Sequence, residues 1–585
     1  MTKSPSAKKS ISNIKSITVK PLGGVGDHLN SDLSGSCTLV EIQRTTGKII
    51  RILVDCGRQQ MGDNNLQSMG INPLDLDCVV VTHAHADHVA LLPLLVKDGL
   101  EFNGKILMTN TTYALSKIML MDAVDVMTAE FNRISSHGSN RHMKQSSKLE
   151  QLNHLKKKLE LIGINKKNKK HMKTTKSKRE PLSKNQKQEV LFLQEQIKEA
   201  EVYLRRKNAL NEELIQKNLE EKLENAGIQM LYDYKDVTNV LNRKNTECLD
   251  YNTYYDLGDG VRLCFINAGH VLGSAQCLVQ VDTGMGEYVN LGFSGDFGRF
   301  DGTSNVGMPD IFQEKLDFYM IESTYGGRYH TNRDEEMKFL ANLINSVAKR
   351  KGRVFIPTFM LQRFQDVAAN LIKMQLSNDP KIDSLKHLKS VQFYYGGVKL
   401  DQINGIYYQM GDNDIYKNLH SSGRLVNSKV RDVNSPLNKL GSDTPAVVFG
   451  TGGMLEGGTI QKHVEEFAFG KNALVFVGYQ GVGTKGREVV EGARDLIIPG
   501  KGWVHIGCEV HQMKSFSTHG DQNDILKLIN ETEFKSDGTI MFNHGIYNYS
   551  QRYALEGVKR STNIPYGVDL VQAEIGKSVE ILKNK

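Results

Sequence analysis

Six apolar runs in this 585-residue chain break off in the same way, each into a glycine-rich turn or polar loop that carries an acid or a histidine. They are IIRILVDCG with Asp55, CVVVTHAHADH, VRLCFINAGH with His270, YVNLGFSGDFG with Asp296, FYMIESTYG with Glu322 and TIMFNHG with His544. Short apolar runs bounded by glycine read as buried strands. Strands of one sheet present their ends along a shared edge, so all six runs are expected to deliver these side chains to one edge of a sheet. A single Asp-Gly or His-Gly turn would be ordinary; six of them constrain the fold to an α/β architecture with a polar strand-end cluster.

The densest of the six is VVVTHAHADHVALL, which puts His83, His85, Asp87 and His88 within six residues. Thr82 is expected to end the strand. Val89 onwards reads as a helix through Leu91, Leu92, Leu94 and Leu95, which leaves the six residues on the connecting loop. Alternation aims His83 and His85 the same way, and Asp87 and His88 are expected to open the helix, where neither is needed for packing. Imidazoles with a carboxylate and no thiolate suit Zn²⁺ or a similar ion and leave positions open for water.

The length implies two or more domains, and 39% hydrophobic with 24% charged residues is a globular composition. No run of about 18 apolar residues occurs, and the N-terminal MTKSPSAKKSISNIKS lacks an apolar signal core. No membrane association is expected, and the location is cytoplasmic, or nuclear in a eukaryote. The seven cysteines are scattered without CxxC pairs and read as buried free thiols of a reducing compartment.

The net charge of +8 is unevenly spread. Residues 141–188 hold 16 Lys or Arg against three Glu, a local +13, which leaves the remainder at 8 − 13 = −5. That segment lies within a stretch, 129–226, expected to form a basic helical arm. Leu152, Leu155, Leu159 and Ile162, then Leu193, Ile197, Ala200 and Leu204, mark one apolar seam each of an antiparallel helical hairpin. The lysine-rich tip is either a solvated charge run or a phosphate-contacting arm.

With Asp55 before HAHADH and His270 and Asp296 after it, the sequence resembles the metallo-β-lactamase superfamily, whose defining motif is HxHxDH after a buried strand. Glu322 in ESTYG, His519 in SFSTHGD and His544 in NHG resemble the further motifs of its β-CASP branch of RNA-processing nucleases, which includes RNase J and the endonuclease subunit of the cleavage and polyadenylation specificity factor. The resemblance implies an αββα sandwich interrupted by a β-CASP α/β cap, with the basic hairpin inserted. Its expected boundaries are a metallo-β-lactamase part at 1–324, the cap at 325–499 and the returning part at 500–585.

The same resemblance implies two Zn²⁺ ions, one on His83, His85 and His270 and one on Asp87, His88 and His544, with Asp296 between them. Asp55 would orient ligands, and Glu322 with His519 would form a pair beside the scissile phosphate, His519 giving the proton. Arg363 in IPTFMLQRFQD, Gly453 and Met454 in TGGMLEGG, and Gly483 and Thr484 in GYQGVGTKGR are the candidate phosphate contacts. The expected function is a zinc-dependent ribonuclease, endo- or 5′-exonucleolytic, acting on single-stranded RNA, with a homodimer allowed. A thioester or lactam hydrolase on the same ligands, or an inactive nucleic-acid-binding subunit, are the alternatives.

His544 at the third β-CASP motif resembles RNA-directed rather than DNA-directed members. Two positions depart from the family pattern. Ile546 replaces the acid usual after HG, and Gln362 stands where small residues are common, which is expected to alter the cleft wall. The chain is also expected to lack the C-terminal domain of RNase J proteins and the N-terminal KH module of some archaeal relatives.

Overall fold

The computed structural model describes residues 12–26, 35–58, 64–97, 100, 102–136, 230–242, 244–302, 305–383, 385–411, 414–428, 436–498, 501–560, 564 and 566–583. The chain divides into two compact units, 1–122 with 232–585, and 123–231. Of the expected basic arm only residues 129–136 are described, as the end of the helix Asn110–Ser136. Both leucine seams and the lysine-rich tip lie outside the described residues. Every site discussed below belongs to the first unit.

That unit contains two seven-stranded sheets. In spatial order the first is Val579–Lys583, Ile14–Pro21, Thr38–Arg44, Ile49–Val54, Cys78–Val80, Lys105–Met108 and Thr246–Cys248. The second is Asp569–Gln572, Phe534–Asn543, Leu316–Glu322, Tyr288–Phe293, Ala275–Asp282, Val261–Asn267 and Tyr254–Gly258. Strand period two sorts the side chains between faces. Phe318 and Met320 join Val40, Ile52, Val80, Phe265, Val279 and Leu291 in one core between the sheets. Tyr319 and Ile321 point the other way, onto Ile525, Leu528 and Ile529 of the helix Gln522–Glu531 and Ala554 and Val558 of the helix Arg552–Lys559. The result is a sandwich with helices outside it.

The six chemistry-bearing runs are therefore split, contrary to the single sheet expected. Ile49–Val54 and Cys78–Val80 are parallel neighbours in the first sheet. Tyr288–Phe293, Leu316–Glu322 and Phe534–Asn543 are parallel neighbours in the second, and Val261–Asn267 runs the same way through two antiparallel steps. Both sets end at the same rim of the sandwich. Burial on both faces makes strands of either sheet read alike, so the sequence pattern carries no sheet assignment.

The helix expected from Val89 is also different. A single turn, Ala86–Val89, already contains Asp87 and His88, and a 3₁₀ stretch, Leu92–Leu95, follows it. Pro93 lacks the N–H that a continuing helix needs.

The cap is a six-stranded parallel sheet ordered Leu425–Asn427, Gln392–Tyr395, Ala446–Thr451, Arg353–Thr358, Ala473–Phe476 and Glu509–Gln512. Its last strand lies beyond residue 499, where the cap was expected to end. The helix Arg363–Leu376 buries Phe364, Val367, Ala368, Leu371 and Ile372, a helical spacing, against this sheet. All seven cysteines are free, and six of them are buried. Among the described residues no helix is long and apolar enough to cross a membrane.

Candidate metal centre

The rim holds its side chains through backbone that ordinary residues avoid. Asp55 (φ 61°) and His544 (φ 49°) both sit in the left-handed region, a conformation costing on the order of 1–3 kcal/mol that persists only where surroundings impose it. The glycines beside the acids are steric requirements. A Cβ on Gly57 would lie 1.7 Å from the Asp87 carbonyl oxygen, and one on Gly295 (φ 53°) would lie 2.7 Å from Thr82 Cβ. These two close approaches bring the Asp55 and Asp296 turns onto the HAHADH loop.

Two candidate ligand clusters include residues of the HAHADH loop, and Glu322 and His519 form a further one with His270 and Asp296. His83, His85, His270 and Asp296 each offer an atom within 4.8 Å of the others, and so do Asp87, His88 and His544. Asp296 joins the two: its carboxylate oxygens lie 3.7 Å from His83 Nε2, 3.7 Å from His270 Nε2, 3.4 Å from His88 Nε2 and 3.1 Å from His544 Nδ1. Asp55 lies one layer behind. Its Oδ2 is 2.7 Å from His88 Nδ1, while Thr82 donates its backbone N–H to Oδ1 (2.8 Å) and its hydroxyl to Oδ2 (2.9 Å). That arrangement turns His88 Nε2 towards Asp296.

These residues fit divalent metal ions. His83 Nε2 and His85 Nδ1 lie 3.0 Å apart and His85 Nδ1 and His270 Nε2 3.3 Å apart, so ring nitrogens converge on one another. Burial pushes the proton affinity of His83 and His270 well down and that of His85 down to about 4, leaving lone pairs free to ligate. In the other cluster burial also opposes charge, yet Asp296 and Asp55 raise the His88 pKa, and Asp296 and Asp87 raise that of His544. Burial works against the Asp87 anion too, but His544 and His88 hold its pKa well below the ordinary carboxylate range. His88 Nε2, His544 Nε2 and Asp296 Oδ1 are all buried with no hydrogen-bond partner, the condition of ligand atoms directed at an ion.

His88 departs from its expected place. It is 1% exposed, so it floors the site rather than lying free at a loop edge, whereas the Asp87 side chain is 41% exposed. The cause is the Asp55 contact, which pulls the ring inward.

Beside Asp296, His519 donates from Nδ1 to Glu322 Oε1 (3.0 Å) and Oε2 (2.9 Å). Glu322 also accepts the Phe297 backbone N–H at 2.8 Å. Burial would lower the His519 pKa, but Glu322 and Asp296 raise it. Sequence reasoning missed the residues that hold this pair. His330 Nε2 lies 2.8 Å from the His519 carbonyl oxygen and donates to it, and Tyr325 packs between the two rings, 4.6 Å from His330 and stacked 6.3 Å from His519. Thr324 donates its hydroxyl to the His544 carbonyl at 3.0 Å. The ESTYGGRYH stretch holds all of them, eight residues on from Glu322 at most, and an extension of the Glu322 reading along its own loop was the available signal.

In the cap, Arg363 is half-buried, with one terminal nitrogen donating to the Val477 carbonyl (2.6 Å) and Nε enclosed without a partner. Burial lowers its pKa to about 10. Gly453 and Met454 meet the other glycine loop, since Gly486 donates its N–H to Met454 O (2.8 Å) and Gln480 its amide to Gly453 O (3.0 Å). Gly483 (φ 81°) turns the chain into Thr484, which caps the helix Lys485–Val490. Gln362 is not on a cleft wall. It is buried, donating to Tyr416 (2.6 Å) and Asp366 (2.8 Å) and accepting from Tyr407 (2.9 Å), because its left-handed backbone turns the side chain into the cap. Ile546 pairs with Gly26 in a short two-stranded contact.

The sandwich, its rim of histidines and carboxylates and the inserted cap define a metallohydrolase architecture. Residues 31–99 match the metallo-beta-lactamase superfamily, 343–489 the Beta-Casp domain and 503–564 the Zn-dependent metallo-hydrolase RNA specificity domain. The chain carries metallo-β-lactamase, β-CASP and RNA-specificity domains, the set that marks the β-CASP branch of the metallo-β-lactamase superfamily. It is 30% identical to the transcription termination factor FttA of Methanococcus maripaludis over 61% of this chain and 57% of that protein. Against the protein of that name from Cenarchaeum symbiosum it is 24% identical over 96% of this chain and 70% of the other. It is 29% identical to an RNase J-like protein of Methanocaldococcus jannaschii over 55% of this chain and 72% of that one. The chain spans about half the length of the first curated relatives it matches.

Proposed function

We propose that the protein is a zinc-dependent ribonuclease that hydrolyses RNA phosphodiester bonds with two metal ions, in RNA processing or decay. The observation that carries this reading is Asp296, whose carboxylate faces histidines of both ligand clusters and lies 3.7 Å from His519, the partner of Glu322. The RNA specificity match and the names of the relatives support RNA as substrate.

His83, His85 and His270 would hold one Zn²⁺ and Asp87, His88 and His544 the other, with Asp296 serving both. A bound pair of cations acidifies water and offsets the charge that builds on phosphoryl oxygens. The chain's own residues do the rest. Asp55 fixes the His88 ring through its Nδ1, as outer carboxylates do for ligating histidines. His519, with Nδ1 engaged by Glu322 and its proton affinity raised, keeps Nε2 for delivering a proton to the leaving oxygen. Arg363 and the Gly453–Met454 and Gly483–Thr484 loops of the cap are assigned to the phosphates of a single-stranded RNA.

A thioester or lactam hydrolase has no use for the Glu322–His519 pair or the cap, and a purely binding subunit has no use for a complete ligand set. The test incubates the purified full chain with end-labelled single-stranded RNA, single-stranded DNA and a small thioester, with and without a chelator. Cleavage of RNA that the chelator stops and Zn²⁺ restores is expected, and ladders against mononucleotides separate endo- from exonucleolytic action. Turnover of the thioester with intact RNA would overturn the reading.

A further inference from the structure

Two half-exposed tyrosines lie on the turn and helix that follow the His544 loop. Tyr549 is 47% exposed and Tyr553 46% exposed, and their rings meet edge to face, 5.2 Å apart at 83°. Single exposed aromatics are common on protein surfaces and carry no meaning alone. This pair differs in how it is mounted. Tyr549 lies in a π-helical turn, Tyr547–Gln551, which begins three residues after His544 and runs straight into the helix Arg552–Lys559 that carries Tyr553. Such turns are uncommon and recur at functional sites.

The turn is locked to both halves of the centre. Ile546 donates its N–H to Ser550 Oγ (2.9 Å), and Gln551 donates its amide to the Gly545 carbonyl (3.0 Å), which ties the tyrosines to the His544 loop. On the other side they press on the Glu322 loop. A Cβ on Gly326 would lie 1.9 Å from the Ser550 carbonyl oxygen, and one on Gly327 would lie 2.7 Å from Tyr553 Cβ. Tyr329, 63% exposed, belongs to that same loop. The rings are thus mounted on a turn packed against the His544 and Glu322 loops, while Arg552, paired with Glu556 at 2.9 Å, and Lys559 and Arg560 are exposed on or just after the same helix. Rigid, solvent-facing aromatic rings flanked by cations are what unpaired bases stack on, and paired bases in a duplex have no free face to offer them.

We propose that the Tyr549–Tyr553 pair is a stacking platform for an unpaired base of the RNA strand that enters the metal centre. This rests on the ribonuclease reading above and adds to it a contact with a base, where the loops of the cap are assigned to phosphates alone. It gives the site a structural reason to take single strands and refuse duplex.

The test measures binding of the full chain to oligomers of about 12 nucleotides, a length matching ordinary single-strand sites, with cleavage stopped by a chelator. The probes are single-stranded RNA, the same RNA as a duplex, and an abasic strand with the same backbone. Tyr549→Ala with Tyr553→Ala is expected to weaken single-strand binding by about 10-fold or more, the size of stacking one base on an aromatic ring. The Tyr549→Phe, Tyr553→Phe protein keeps the rings and should bind as the parent does, and neither change should alter binding of the abasic strand. Unchanged single-strand affinity in the alanine protein, or an equal loss on the abasic strand, overturns the platform. Cleavage of the same RNA by the parent with Zn²⁺ is recorded alongside. A parent that cuts RNA while the alanine protein binds normally sinks the platform alone. A parent that neither binds nor cuts RNA sinks the ribonuclease reading and the platform with it.

Discussion

His519 and Glu322 stand 197 positions apart in the chain, yet Nδ1 of the one donates to both carboxylate oxygens of the other, at 3.0 and 2.9 Å. The pair groups with His270 and Asp296, but neither residue lies on the HAHADH loop, whose own donors remain when the pair is removed. His519→Ala is expected to lower kcat by about 10²- to 10⁴-fold, the usual worth of a positioned proton donor, while zinc content by elemental analysis stays that of the parent.

His330 acts on that pair from behind, through the 2.8 Å hydrogen bond to the His519 carbonyl. His330→Ala should lower kcat by about 10-fold with KM and zinc content unchanged, since small displacements of a reacting group are costly. His330→Gln retains an N–H donor and should recover most of the loss. Equal KM and kcat changes would assign His330 to substrate binding instead.

Asp55→Asn keeps a residue that tolerates left-handed backbone but removes the charge that fixes His88. Zinc affinity, measured by competition with a chromophoric chelator, should fall by about 10- to 100-fold, as for other carboxylates behind a ligating histidine. Retention of parental affinity would mean that Thr82 alone suffices to orient the ring.

Stability of the cap should depend on pH through Glu466. Burial would raise its pKa, but His463 and Arg353 lower it, and Arg353 donates to it at 2.7 Å. A carboxyl depressed in the folded state stabilises fully above its unfolded pKa of about 4.3 and loses that contribution as pH falls through the folded value. Glu466→Gln should therefore cost about 1 kcal/mol near neutral pH and progressively less below about pH 4, read from urea midpoints.

Much of the candidate centre was legible in the sequence because its histidines and carboxylates come as strand-end residues with glycine beside them. His83, His85, His270 and Asp296 converge where alternation and turn chemistry put them, and Asp87, His88 and His544 gather as a second cluster. What the sequence hid was partnership across distance. Strands buried on both faces look alike, so the split of six runs between two sheets left no trace in their patterns. The inward pull of Asp55 on His88 depends on a left-handed backbone at Asp55 that an aspartate does not announce. Gln362 was read by its neighbours in the motif, yet its φ of 61° sends it into a buried polar network with Tyr407 and Tyr416. Hydrogen bonds to backbone carbonyls, such as that from His330, leave no residue-type signature at the accepting end.

The most direct test of the two-metal ribonuclease is the Asp87→Ala, His88→Ala protein beside the parent, assayed on end-labelled single-stranded RNA with Zn²⁺ supplied. The parent should cut the RNA. The variant should keep the parent's far-ultraviolet circular dichroism, bind less zinc and cut no faster than a chelator-treated control, whereas RNA cleavage at the parental rate by the folded variant would contradict the account.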